Sequence, residues 1–270
     1  MSGFRFTLKQ APTLRVDLRG IVPTALAGLG ASEVERLPVG FGNTLAPLAE
    51  WFTVTAVDAD GLVFDGDLSR VDRVGWQMAG GRLEVHGAVG HHAGGGMAGG
   101  ELVVHGSAGL LAACEMAGGT FTVGGDVGDF AASALPGSLV GVRGGSVGVK
   151  GNAGARFGDR MRRGTAVVFG DAGEFIASRM VAGTIALGGR AGAHAGYGMR
   201  RGSVVFAGPG PEAIGATFVP ALGAAEVMWQ LIARDLAQHG GPFAALASRR
   251  IARHLGDLAA GGKGELIVAG

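Results

Sequence analysis

The sequence predicts a mainly β fold: a right-handed parallel β-helix, a single-stranded solenoid with ~19-residue coils, carrying an α/β N-terminal cap and C-terminal helices. Three observations predict it. One motif is written seven times between Met78 and Gly210, starting at Met78 (MAGGRLEVHGAVG), Met97, Met116, Val142, Met161, Met180 and Met199. Every start-to-start step is 19 residues except that from Met116 to Val142, which is 26. Within each copy, apolar and other residues alternate between glycines, the period of a short strand between two corners. Glycines so closely spaced in 19 residues leave no room for the paired helices of an α-solenoid.

Residues 1–60 lack the repeat and read as a separate cap over the first coil. FRFTL at 4–8 and LRVDL at 14–18 alternate as strands, and short helices are expected after Pro23 and after Ser32. The β-helix spans 61–210, beginning with a degenerate coil, GLVFDG at 61–66. Its inward ladders are Leu83, Leu102, Phe121, Val147, Ala166, Ile185, Val204 and Val85, Val104, Val123, Val149, Val168, Leu187, Phe206. Stacked coils sharing one core require such unbroken apolar columns. Glycines recur at the strand ends (Gly87 to Gly208) and three residues on (Gly90 to Gly192), as corners needing positive φ would demand. The methionines at 78, 97, 116, 161, 180 and 199 share one rung and read as flexible filler in a corner.

The glycine period stops after Gly210, and 211–270 form a C-terminal extension. Residues 224–238 place Val227, Met228, Leu231, Ile232 and Leu236 on one helical face. A second helix is expected after Pro242, carrying Leu246, Ile251 and Leu255, with Arg249, Arg250 and Arg253 near its end. ELIVAG at 265–270 reads as a short strand. These segments would seal the last coil, whose open strand edges need cover, or dock on a partner.

The single cysteine, Cys114, excludes a disulfide scaffold and a cysteine-only metal site within this chain; it reads as a small packing residue. A net charge of +1 argues against a nucleic-acid binder. With no leader and no long apolar run in view, neither a membrane span nor export is expected, and a cytoplasmic location is the default. The charge is unevenly placed: residues 78–135 hold one Arg against five acids, and 136–208 hold ten Arg or Lys against three. Arg160 and Arg179 precede the methionine rung, Arg143, Arg162 and Arg200 follow it, and Arg163 and Arg201 lie beside them. Stacked at coil spacing, these cations favour an anion or acidic partner across them, or local pairing with Asp159 and Glu174. The outward strand positions are unusually apolar, with Val103, Val167, Val205 and Phe169, so something covers that strip: the chain's own ends or another protein.

No nucleophile elbow, phosphate loop or paired carboxylates emerge, so no catalytic, cofactor-binding or metal residues are assigned. His86 and His105 share an outward rung of adjacent coils, and with Glu84 or Glu101 they could hold zinc, but no further carboxylate repeats with them.

The repeat, GDLSRVDRVGWQMAGG at 66–81, LPVGFGN at 37–43, TFVPALGAAEVMWQLIARDL at 217–236 and GKGELIV at 262–268 together resemble the C subunit of formylmethanofuran dehydrogenase. The glycine repeat alone is also similar to the C-terminal β-helix of glutamate synthase, and the flanks distinguish the two. The resemblance implies a non-catalytic subunit with no cofactor of its own. Its implied partners are an amidohydrolase-like A subunit with metals and a molybdopterin or tungstopterin oxidoreductase-like B subunit. In the sister formyltransferase/hydrolase complex of methylotrophic bacteria, a formyltransferase D subunit also belongs to the set. That complex moves a formyl group from tetrahydromethanopterin to a methanofuran-type carrier and hydrolyses it to formate. The Ala-, Gly- and Arg-rich composition favours this sister complex over the dehydrogenase. Carriers of this type bear glutamate-rich tails, which gives the arginine stripe a candidate ligand.

Overall fold

The computed structural model of the chain describes residues 3–58, 60–221 and 225–270. The protein is mainly β and is dominated by one large, mostly parallel sheet of thirteen strands. In chain order these are β1 (Gly3–Leu8), β2 (Phe52–Val57), β3 (Leu62–Asp65), β4 (Arg82–His86), β5 (Glu101–Val104), β6 (Thr120–Val123), β7 (Arg143–Val149), β8 (Arg163–Val168), β9 (Thr184–Leu187), β10 (Ser203–Phe206), β11 (Val219–Pro220), β12 (Ile251–Gly256) and β13 (Gly264–Ala269). From β3 to β10 each strand pairs in parallel with the next one in sequence.

The register follows the repeat. Leu83 faces Leu102, then Phe121, Val147, Ala166, Ile185 and Val204 in turn, and every member of this ladder is 0–1% exposed. The second ladder, Val85 to Phe206, is fully buried. A second column of parallel bridges runs Leu68, Val89, Ala108, Val127, Ala153, Ala172, Ala191, one per copy. The rung methionines are completely buried.

Glycine is required at the strand ends for a different reason from the one expected. Gly106, Gly173 and their equivalents do not have positive φ; a Cβ at Gly106 would lie 2.6 Å from Ala88 N and Gly87 C in the copy before. Backbones stacked this closely leave no volume for a side chain. The positive φ belongs instead to the glycine that opens each strand, from Gly81 (+82°) through Gly100 to Gly202 (+92°). The left-handed region is also used by other residues in register, such as Arg73, His92, Leu111, Phe130, Arg156, Phe175 and His194. The N–H groups of Arg73, His92, Leu111, Phe130, Arg156 and Phe175 donate to the following copy, as in Arg73 N to His91 O and His92 N to Leu110 O, which compensates conformations that L residues otherwise avoid.

In the N-terminal region β1 and β2 extend the large sheet, while Val16–Asp17, Pro38–Phe41 and Thr44–Pro47 form a second, four-stranded sheet with Val71–Asp72. β1 pairs in parallel with β3 and antiparallel with β2, and Phe6 stacks on Phe64 with centroids 4.4 Å apart while Phe52 meets both edge-on. One apolar core therefore runs from Phe4 and Phe6 through the ladders to Leu266. The expected helices are short: α1 (Pro23–Leu26) and α2 (Ala31–Glu35), the latter opening with Glu33 accepting from Gly30 N.

At the other end α3 (Glu226–Ala237) forms as expected, although Ala224 lies outside the described residues. Its buried face is Trp229, Ala233 and Leu236, while Val227 and Leu231 are 77% and 65% exposed. The second helix does not form. Residues 241–248 make two 3-10 turns, and 251–256 is strand β12, because β13 extends the sheet beside β10 and offers its outer edge to β12. A tertiary pairing partner overrides the local helical pattern. Arg249, expected at a helix end, donates to the carbonyls of Ala207 and Ala269.

Candidate functional site

The 26-residue step carries seven residues more than the others, and part of this insertion walls a cationic concavity. Residues 135–139 wall a cleft of about 310 Å³ floored by Asp159, Arg160 and Arg179, and an adjoining one of about 300 Å³ is lined by Arg160, Arg162, Arg179 and Arg200. The loop is anchored on the same residues: Ala134 N donates to Asp159 O and Gly141 N to Arg160 O. Arg160 and Arg179 reach the cleft from corner positions with φ of +59° and +54°.

Arg179 is committed. Its Nε and Nη2 donate to both oxygens of Asp159 at 2.9 and 2.8 Å, and Ser178 Oγ donates to the same carboxylate, which is buried. Arg160 sits farther away, its Nε 3.7 Å from Asp159 Oδ2. Among the described residues, Arg162 and Arg200 have no carboxylate within ion-pair distance, and the same holds for Arg143 and Arg163. The second cleft thus gathers four guanidinium groups, of which Arg179 and Arg160 lie beside the Asp159 carboxylate and Arg162 and Arg200 do not. Arg143 and Arg163 stand apart as exposed register partners at the starts of β7 and β8.

The apolar strip has a different outcome. Val167, Ala186 and Val205 are fully buried beneath Trp229, Ala233, Leu236, Phe243 and Leu246 of the chain's own C-terminal region. Of the two covers expected for the strip, the chain's own C-terminal region takes Val167 and Val205, so these two do not present a partner surface; an apolar helix face and an apolar sheet face cover each other. Phe169 is half-buried, edge-on to Phe243 and under Lys150 Nζ at 3.7 Å from the ring centroid. Val103 remains half-exposed on β5.

The two histidines do meet. His105 Nε2 lies 2.7 Å and His86 Nε2 3.3 Å from Glu84 Oε1, while His86 Nδ1 faces Asp65 Oδ1 at 2.8 Å. The hydrogen bond from His105, with those from His86 and Arg82, outweighs desolvation and holds the Glu84 carboxyl down to about 2. Asp65 escaped sequence reasoning because its copy is degenerate. Its position was legible, however, since Asp65 is the register partner of His86. The loop at 135–139 was also missed, although the 26-residue step marked it.

No family model matches the chain. The C subunit of the formyltransferase/hydrolase complex from Methylorubrum extorquens is 43% identical over 76 residues, covering 28% of this chain and 29% of that protein. The C subunit of tungsten-containing formylmethanofuran dehydrogenase 2 from Methanothermobacter marburgensis is 31% identical over 101 residues, covering 36% and 37%. These alignments span about a third of the curated relatives' own lengths. The crystal structure of the Methylorubrum extorquens formyltransferase/hydrolase complex with methylofuran contains a chain that matches far more completely. Identity there is 41%, the TM-score is 0.92, and the match covers 98% of this chain and 99% of that one. The fold is thus that of a subunit of the formyltransferase/hydrolase complex. The chain belongs to the family of formylmethanofuran dehydrogenase and formyltransferase/hydrolase C subunits.

Proposed function

We propose that this chain is the scaffold subunit of a formyltransferase/hydrolase complex. The complex would transfer a formyl group between tetrahydromethanopterin and a methanofuran-type carrier and hydrolyse the product to formate. The observation that carries the reading is the end-to-end match, at 41% identity, to a chain of such a complex bound to methylofuran. In it the chain contributes surfaces, and catalysis and metals belong to amidohydrolase-like, pterin-oxidoreductase-like and formyltransferase partners. Residues 61–210 act as a right-handed parallel β-helix between the two ends, 1–60 and 211–270. The coil-by-coil register, the second bridge column and the corner-to-corner hydrogen bonds support that winding.

Affinity purification of the chain from its native cells tests this. Recovery with a formyltransferase partner is the expected result, and recovery without any of the partners overturns it. A molybdenum or tungsten pterin protein in its place would favour the second reading, the C subunit of a formylmethanofuran dehydrogenase, which the 31% and 36% identities to such proteins support.

The cationic cleft is the surface we assign to the carrier's glutamate-rich tail, with Arg160, Arg162 and Arg200 as its contacts and Arg143 and Arg163 extending the stripe. Arg179 holds Asp159 and is left intact in the test, because removing it would strand a buried carboxylate. Replacing Arg160, Arg162 and Arg200 by Ala in the assembled complex should weaken binding of a glutamate oligomer at least ~10-fold and flatten its salt dependence. Unchanged affinity in an intact complex would return these arginines to partner docking.

A further inference from the structure

Apart from the cleft, the outward face at the N-terminal part of the sheet brings metal-ligating groups together from three neighbouring strands. Asp65 comes from β3, Glu84 and His86 from β4, and His105 extends from the end of β5. The parallel register aligns Asp65 with His86, and the 19-residue repeat puts His105 on the same rung one copy later. The imidazoles lie side by side, with centroids 5.1 Å apart.

We propose that Glu84, His86 and His105 form a binding site for a single divalent transition-metal ion of the zinc class. One ligand atom from each residue lies within 4.8 Å of the other two, and Nε2 of both histidines faces Glu84 Oε1. A tetrahedral zinc ion with bonds of about 2.0–2.1 Å requires its ligand atoms about 3.3 Å apart. The separations from Glu84 Oε1 are already 3.3 Å and 2.7 Å. Small rotations of three partly exposed side chains complete the set. A metal ion takes the place of the close contacts between the imidazole Nε2 atoms and the carboxylate.

The surrounding groups hold the ligands in the orientation such a site needs. Asp65 engages His86 through Nδ1 and leaves Nε2 pointing at the site, the usual carboxylate–histidine arrangement behind a metal ligand. Asp65 is itself held by Arg5, and Arg82 engages Glu101 and the Oε2 of Glu84, which leaves Oε1 to the two imidazoles. Three protein ligands leave the fourth position open toward solvent, since the His86 and His105 side chains are 43% and 54% exposed. The ladder ends there because the next residue on the rung is Gly124, which offers no ligand. A metal ion here would tie β4 to β5 and present a vacant coordination site to water or to a partner's side chain.

The test uses the untagged full-length chain, stripped with chelator and checked for native circular dichroism. Zn²⁺ titration should give one ion per chain, and Co²⁺ the intense visible absorption of a tetrahedral site. His105→Ala and, as the gentler variant, Glu84→Gln should each lower Zn²⁺ affinity at least ~100-fold. Asp65→Asn, which positions His86 without touching the ion, should lower it ~10–100-fold while keeping the stoichiometry. Less than stoichiometric uptake by the wild-type chain, or uptake unchanged in both His105→Ala and Glu84→Gln, overturns the proposal. The site requires nothing of the carrier or the partner proteins, so either outcome leaves the proposed function standing.

Discussion

Cys114 shows what burial does to a single residue. It is completely enclosed, and burial, followed by the Glu115 carboxylate, pushes its thiol up to about 12. Native protein should therefore resist alkylation at neutral pH, and labelling should proceed at the rate of unfolding; a fast reaction in native buffer would contradict this. Asp72 responds to pH in a defined direction. Burial pushes its carboxyl up, but the two-point hydrogen bond from Arg15 and the His91 N–H outweigh it and hold the group below the usual carboxylate range. A pKa depressed on folding contributes stability above the ordinary value near about 4 and loses it as pH falls through the folded value. Urea midpoints measured from pH 5 downward should fall less steeply in Asp72→Asn than in the wild type. Glycines divide by the same local reasoning. Gly106→Ala drives a Cβ into the backbone of the preceding copy and should cost ~1–3 kcal/mol or more. Gly148→Ala meets nothing closer than 3.9 Å and should stay within about 0.5 kcal/mol of wild type in the same denaturation series.

Among the elements, α3 and the last two strands decide the fate of the C-terminal half of the sheet. Val167, Ala186 and Val205 would be an exposed apolar face without Trp229, Ala233 and Leu236 above them. Trp229→Ala should destabilise the chain by ~3–5 kcal/mol and raise binding of a hydrophobic dye before global unfolding. Unchanged stability would mean that the helix contributes little to the cover. Leu246, Ile251 and Leu255 fit a helical face, yet 251–256 is strand β12, because a free β edge offers hydrogen bonds that no local pattern reveals. The short strands of the repeat were legible throughout, since alternation and glycine spacing mark both their faces and their ends.

Across the whole molecule, one contiguous core joins Phe4 and Phe6 to Leu266, so the N-terminal strands share the repeat's packing. Phe121 sits at the middle of that core, completely buried. Phe121→Ala should cost ~3–5 kcal/mol, and its thermal midpoint should fall equally when followed by circular dichroism and by tryptophan fluorescence, because Trp51 belongs to the same core. Separate transitions would divide the chain into independently melting parts. The repeat by itself determined the parallel register, the two inward ladders and the buried methionine rung, because a 19-residue period leaves each position one consistent environment in every copy, and the non-repeating flanks added the family. Tertiary structure alone decided the covering of Val167 and Val205, the strand in place of the second helix and the left-handed corners at non-glycine residues. It also decided that Asp159 takes up Arg179 while Arg162 and Arg200 have no carboxylate within ion-pair distance among the described residues, and that Asp65 stands behind His86. Each of these depends on contacts between segments that do not share the period, or on which of several equivalent charges lies nearest, and distance in space is what a sequence pattern does not carry.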